Sequence, residues 1–132
     1  MSDGPELTHV FGSVSNLDET AFDQDLFYSN LCRDLCDALS LNILEIKKHS
    51  FEPCGFTLLA LLEESHMSFH TWPEHKCVFF DLFTCSRLNI GVLSTLIRGR
   101  YHEVCPDAAV ELQGFDRSFN GLSGEKFRSS EY

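Results

Sequence analysis

Between two apolar runs, Phe56 to Leu62 and Cys77 to Cys85, the chain carries the stretch Glu63-Glu64-Ser65-His66-Met67-Ser68-Phe69-His70-Thr71-Trp72-Pro73-Glu74. Carboxylates, hydroxyls, two imidazoles and an indole crowd into those twelve residues. A surface loop seldom sits between two such runs, and a core strand seldom carries so many polar groups. Short links join these segments, so they fold as antiparallel strands with Trp72-Pro73-Glu74-His75-Lys76 as a connection. Polarity set against apolar surroundings in this way marks a functional site.

Hairpin arithmetic then says which residues meet. With the turn centred near Glu74, residues opposed across the strands sum to about 148, and opposed side chains sit about 5 Å apart. Ser65 then faces Phe83 and Cys85 faces Glu63, which brings the Cys85 thiol within reach of Ser65. A one-residue shift of the turn would keep that proximity and change the faces on which the side chains lie. Strand alternation puts Ser65 and His70 on opposite faces of the sheet.

The rest of the chain supplies a frame for this hairpin. Leu7 to Val14 reads as a strand with Gly12 as a bulge position. Asp18 or Thr20 caps a helix whose buried face is Phe22, Leu26, Phe27, Leu31, Leu35, Ala38 and Leu39. Leu41 to His49 is a strand with Glu45 and Lys47 outward. Pro53 and Gly55 punctuate a turn before the apolar strand 56–62, which reads as central. Strands follow at 65–71 and 77–84. A second helix over 87–98 buries Leu88, Val92, Leu93, Leu96 and Ile97, and a last strand lies within 101–112, interrupted by Pro106.

The expected fold is α+β: a two-layer sandwich, a mainly antiparallel sheet with two helices on one face. One domain is expected over 1–112, and the polar composition of 113–132 predicts a mobile tail. Two helices leave the second sheet face uncovered, and a homodimer is one way to bury it.

Composition excludes some functions. The net charge of −10 over 132 residues opposes binding to nucleic acid. No stretch reaches the ~18 apolar residues of a membrane span. The acidic start, Met1 to Glu6, does not read as a secretory signal. The six cysteines are therefore expected as reduced thiols in a cytoplasmic protein. Cys32 and Cys36 lack zinc spacing, and the histidines form no metal motif, so no metal is expected. Taken singly, Cys85 reads as a core thiol, His70 as a hydrogen-bonded strand residue and Ser65 as a turn residue.

Together they say more. Glu64-Ser65-His66, then His70-Thr71-Trp72-Pro73-Glu74, then Phe83-Thr84-Cys85 resemble the self-processing site of the prokaryotic-type S-adenosylmethionine decarboxylase proenzymes, pyruvoyl-dependent enzymes of polyamine synthesis. The resemblance spans roughly residues 7 to 112. It implies that the chain cuts itself between Glu64 and Ser65. The Ser65 hydroxyl attacks the Glu64 carbonyl, the amide becomes an ester, elimination expels the Glu64 carboxylate, and hydrolysis leaves a pyruvoyl group where Ser65 stood. It further implies that His70 moves protons during processing with help from the Thr57 hydroxyl. The pyruvoyl then forms a Schiff base with the substrate amine, and Cys85 donates the proton after decarboxylation. Thr57 stands in Gly55-Phe56-Thr57-Leu58, where the family more often has Gly-x-Ser-Gly.

By the same resemblance Phe51 stacks on adenine and Glu74 holds the ribose hydroxyls, with Trp72 a further candidate contact. The implied product is decarboxylated S-adenosylmethionine, for spermidine synthesis. Glu52 and Cys54 depart from the usual apolar or aromatic choices. A carboxylate at Glu52 keeps open the same chemistry on ornithine or arginine. A third reading is an uncleaved, non-catalytic binding or regulatory relative.

Overall fold

Alternation of apolar and polar residues builds most of the sheet. The computed structural model describes residues 7–22, 25–119 and 121–129. The strands are β1 (Leu7–Ser15), β2 (Ile43–Ser50), β3 (Phe56–Leu62), β4 (Ser65–Trp72), β5 (Cys77–Thr84), β6 (Ala109–Ser118) and β7 (Gly121–Ser129). They form one sheet in the order β2-β3-β4-β5-β1-β6-β7, antiparallel at every pairing. Two helices, α1 (Asp25–Ala38) and α2 (Ile90–Val104), contribute to the same core. Val10 and Val14, Leu58 and Leu62, Met67 and Phe69, Val78 and Leu82, and Val110 and Leu112 point towards them. The α+β two-layer sandwich expected from the sequence is the fold observed.

Several local expectations give way to tertiary packing. Gly12 is no bulge, because the β1 register runs unbroken across it on both sides. A Cβ there would sit 2.0 Å from the Glu111 carbonyl oxygen, so the close approach of β6 requires glycine. Asp18 precedes a short 3₁₀ turn, Glu19–Ala21, without a side-chain capping bond. The buried face of α1 is Tyr28, Leu31, Cys32, Leu35 and Cys36, while Leu26 is 71% exposed. The helical period holds, but the stripe is rotated, because two thiols and a tyrosine pack inward in place of Leu26 and Ala38.

Asn89 caps α2, its Oδ1 accepting from Val92 N at 3.1 Å. The helix runs on to Val104, past the expected end at 98. Tyr101 continues the buried stripe of Leu93 and Ile97, so residues 101–104 belong to the helix and not to a strand. Val92 is on the outer side. Arg98 is buried on the inner side, where Nη1 donates to the Val110 carbonyl at 2.9 Å and Nε to Ser94 Oγ at 3.0 Å. Residues 113–118, expected as the start of a tail, extend β6, and β7 pairs with it. Ladder hydrogen bonds need no apolar side chains, which is why polar composition concealed these strands.

β3 is internal, next to the edge strand β2. Its apolar run is not buried on both sides: Phe56, Leu58, Ala60 and Leu62 face the helices, and Leu59 and Leu61 face out. Trp72 and Phe79 share that outer face, each about half exposed. So do His9, His66 and Asp81, with His9 Nε2 donating to Asp81 Oδ1 at 2.7 Å and His66 Nε2 3.7 Å from Asp81 Oδ2. No helix among the described residues is long and apolar enough to cross a membrane.

Candidate active site

The register of β4 on β5 decides what surrounds Ser65. His66 opposes Phe83 and Trp72 opposes Cys77, one residue later than the arithmetic above supposed. The cause is the connection. Pro73–His75 forms a 3₁₀ turn, Lys76 takes a left-handed conformation (φ 54°), and its N–H closes on the Pro73 carbonyl at 3.0 Å. The loop therefore holds four residues and its centre lies after Glu74. Ser65 consequently meets Thr84, not Phe83, and Cys85 meets Glu64, not Glu63.

Both contacts are close. Ser65 Oγ donates to Thr84 Oγ1 at 2.9 Å, with Ser65 and Thr84 both buried. Thr84 Oγ1 is 3.0 Å from Ser86 Oγ. The Cys85 thiol donates to the Glu64 carbonyl oxygen at 3.0 Å. Thr84 and Ser86 were not singled out from the sequence. Thr84 lay within the Phe83-Thr84-Cys85 motif, but only the register shows that it touches Ser65.

The β3–β4 connection is the two residues Glu63 and Glu64, since Leu62 pairs with Ser65. Glu64 has φ 56°, a left-handed conformation costly for a residue with a side chain. Glu63 N donates to the Asn42 carbonyl at 3.2 Å, and Asn42 Nδ2 donates to Glu63 Oε1 at 3.3 Å, which pins the turn. Backbone strain and a directed thiol thus meet at the same peptide.

The other expected site residues gather elsewhere. His70 opposes Thr57 across β4 and β3, and Thr57 Oγ1 is 3.2 Å from His70 Nδ1. This pair faces the open side of the sheet, whereas Ser65 faces the helices. Five strand steps separate Ser65 from His70, about 17 Å at 3.3 Å each. The alternation expected from sequence holds, and no kink brings His70 to Ser65. Leu58, where the family more often has glycine, is buried in the core.

Phe51 and Glu74 lie together at the far end of β4. They line a cavity of about 500 Å³ with Lys48, Glu19, Phe22 and Cys54. Phe51 is 48% exposed, with its ring edge-on to His49. Gly55 (φ 91°) closes the turn beneath it, accepting from Phe51 N at 2.8 Å; a Cβ there would press on the Thr71 carbonyl oxygen at 3.0 Å. Glu52 does not line this cavity, and neither does Trp72, which belongs to the open sheet face.

Comparison with known proteins bears on this arrangement. The profile of the S-adenosylmethionine decarboxylase family matches residues 8–100. A proenzyme described as S-adenosylmethionine decarboxylase from Parasynechococcus marenigrum is 38% identical over 77 residues, 58% of this chain and 60% of that protein. The one from Methanococcus aeolicus is 34% identical over 77 residues, 58% of this chain and 66% of that protein. The chain thus spans 60% and 66% of the length of these two relatives. The crystal structure of the adenosylmethionine decarboxylase from Aquifex aeolicus superposes with a TM-score of 0.60 at 22% identity, covering 81% of this chain and 89% of that one. At that identity the likeness is one of fold.

Proposed function

The chain belongs to the S-adenosylmethionine decarboxylase family, and from that premise we propose that it is a proenzyme that cuts its own Glu64–Ser65 bond, carries a pyruvoyl group in place of Ser65, and decarboxylates S-adenosylmethionine. The observation that carries the proposal is the Cys85 thiol on the Glu64 carbonyl oxygen at 3.0 Å. A residue remote in sequence lands on the one carbonyl that self-cleavage would attack.

The residues present fit that group. Attack of Ser65 Oγ on the Glu64 carbonyl carbon moves negative charge onto the oxygen to which Cys85 already donates. The left-handed Glu64 lowers the cost of distorting that peptide, since its strain is released when the bond breaks. The ester so formed loses the Ser65 α-proton and expels the Glu64 carboxylate, and hydrolysis of the remainder releases ammonia. The pyruvoyl group would supply an electron-accepting carbonyl in place of Ser65, at the first position of β4. Cys85, fixed beside that position, holds the proton for the carbon that loses its carboxylate.

The working unit in this proposal is a homodimer. Ser65 and Cys85 stand at one end of β4, while Phe51 and Glu74 stand at the other, about 23 Å away over seven strand steps. Thr57 and His70 belong with the second group. One chain therefore carries two separated half-sites. Two copies in antiparallel apposition would bring Cys85 and the Glu64–Ser65 peptide at one end of β4 against Thr57 and His70 on the open face of the other, with Phe51 and Glu74 at the adjoining end. The open face, with Leu59, Leu61, Trp72 and Phe79 half exposed, suits such a contact. Its product would feed polyamine synthesis, and six unpaired thiols suit a cytoplasmic setting.

Intact mass of the purified protein under denaturing conditions tests the reading. Two pieces are expected, residues 1–64 and residues 65–132 with a pyruvoyl-blocked end. A single uncut chain would overturn it. Glu52 stands outside the cavity, so the feature that favoured ornithine or arginine contributes no lining group. Release of carboxyl-labelled carbon dioxide from S-adenosylmethionine, and not from those two amino acids, is the expected outcome.

A further inference from the structure

The Ser65 hydroxyl must lose a proton as it attacks, and within its own chain no imidazole reaches it. His66, the next residue, points to the open face towards Asp81. His70 is five steps along the strand and also on the open face, paired with Thr57. The group that does touch Ser65 Oγ is the Thr84 hydroxyl, at 2.9 Å. Thr84 is 1% exposed, so water does not compete for this contact.

We propose that Thr84 is a catalytic residue of self-cleavage, holding Ser65 Oγ by accepting its proton and relaying a proton to Ser86 at the surface. The assignment rests on the self-cleavage reading above. Its geometry is a run of three hydroxyls: Ser65 to Thr84 at 2.9 Å, and Thr84 to Ser86 at 3.0 Å. Thr84 carries one proton and accepts the proton of Ser65, so its own is free to be donated to Ser86 Oγ. Ser86 is exposed, and Thr8 Oγ1 donates to its carbonyl at 3.2 Å, which fixes the outer end of the run.

The balance of the step is simple. As the bond from Ser65 Oγ to the Glu64 carbonyl carbon forms, the Ser65 proton passes to Thr84, the Thr84 proton to Ser86, and the Ser86 proton to water. The C–N bond of the same peptide breaks, and the departing nitrogen takes up a proton from water. No group in the relay is left charged, so neutral hydroxyls suffice in a buried place where a bare charge would be costly. The hydrogen bond also selects one rotamer of Ser65, which removes freedom that the attack would otherwise have to overcome.

The test is the time course of self-cleavage of the full chain made in a cell-free reaction, followed by intact mass. Thr84→Val keeps the shape and removes the hydroxyl, and should slow cleavage by on the order of a hundredfold. Thr84→Ser restores the hydroxyl and should come back to within roughly threefold of wild type, a rescue that a purely structural role would not give. Ser86→Ala, at an exposed position, should slow cleavage by on the order of tenfold. Thr84→Val cutting at the wild-type rate would overturn the proposal, as would Thr84→Ser being as slow as Thr84→Val. If Thr84→Val fails to fold, Ser86→Ala decides: an unchanged rate there removes the relay. A wild-type chain that stays whole removes the self-cleavage reading and this assignment with it. A wild-type chain that cuts while the variants keep pace removes this assignment alone.

Discussion

The Cys85 thiol donates a hydrogen bond to the carbonyl oxygen of Glu64, 3.0 Å away across the β4–β5 hairpin. In the proposed mechanism this contact would give one thiol two tasks at one place: support of the carbonyl oxygen during cleavage and delivery of a proton during turnover. The two tasks can be separated. Cys85→Ser keeps a donor of similar direction, so cleavage should persist, slowed by no more than roughly tenfold. Turnover per cleaved chain should fall by on the order of a hundredfold, because a serine hydroxyl is a far weaker acid than a thiol. Intact mass reads the first effect and carbon dioxide release the second; full turnover in this variant would reassign the proton donor.

The proposed homodimer, with its site shared between copies, predicts complementation. Cys85→Ala and Glu74→Gln should each be poorly active alone, for different reasons. When the two variants are co-expressed, half the dimers are mixed under random pairing, and one of the two sites in each mixed dimer is intact. Activity should then rise to about a quarter of wild type. A mixture no better than the sum of its parts would show that each chain builds its own site.

Substrate recognition is tested at Phe51. If its ring stacks on adenine, Phe51→Ala should weaken S-adenosylmethionine binding by about 1–3 kcal/mol, by analogy with stacking on nucleic-acid bases. The effect should appear in KM, with cleavage unchanged. An unaltered KM would move the adenosine site away from the cavity that Phe51 shares with Glu74.

Stability at alkaline pH follows from the core. Burial pushes the Tyr28 phenol up from 10.0 to about 12, and its hydroxyl donates to the Ala21 carbonyl at 3.4 Å. Burial raises Tyr101 as well. A folded phenol with a raised pKa stays protonated while the unfolded one ionises, so the folded state holds more protons above pH 10 and stability falls as pH rises. The loss should be roughly 1.4 kcal/mol per pH unit from Tyr28 between about pH 10 and 12. Denaturant titrations over that range should show the decline, and Tyr28→Phe should remove the part due to Tyr28.

Local sequence determined a good deal. Apolar runs bounded by turn residues defined β3 from Phe56 to Leu62 and β5 from Cys77 to Thr84, though not which of their side chains face the core. The helical period gave α1 and α2, though not which stripe is buried, since the stripe depends on which residues fit the sheet beneath. The motif residues from Glu64 to Cys85 carried the family, since their types and spacing are a property of the chain itself.

Only the tertiary structure decided how those residues meet. A single left-handed residue, Lys76, moved the register by one place and set Thr84 against Ser65. β1 entered between β5 and β6, a pairing between strands far apart in sequence that local pattern does not encode. The polar segment after Gln113 became β-structure because a neighbouring edge offered it hydrogen bonds. Above all, the motif that reads as one site in sequence is spread along about 23 Å of strand and over two faces of a sheet. Sequence proximity along an extended strand becomes distance in space, at about 3.3 Å per residue with every second side chain turned away, and only the packing of the whole sheet reveals it.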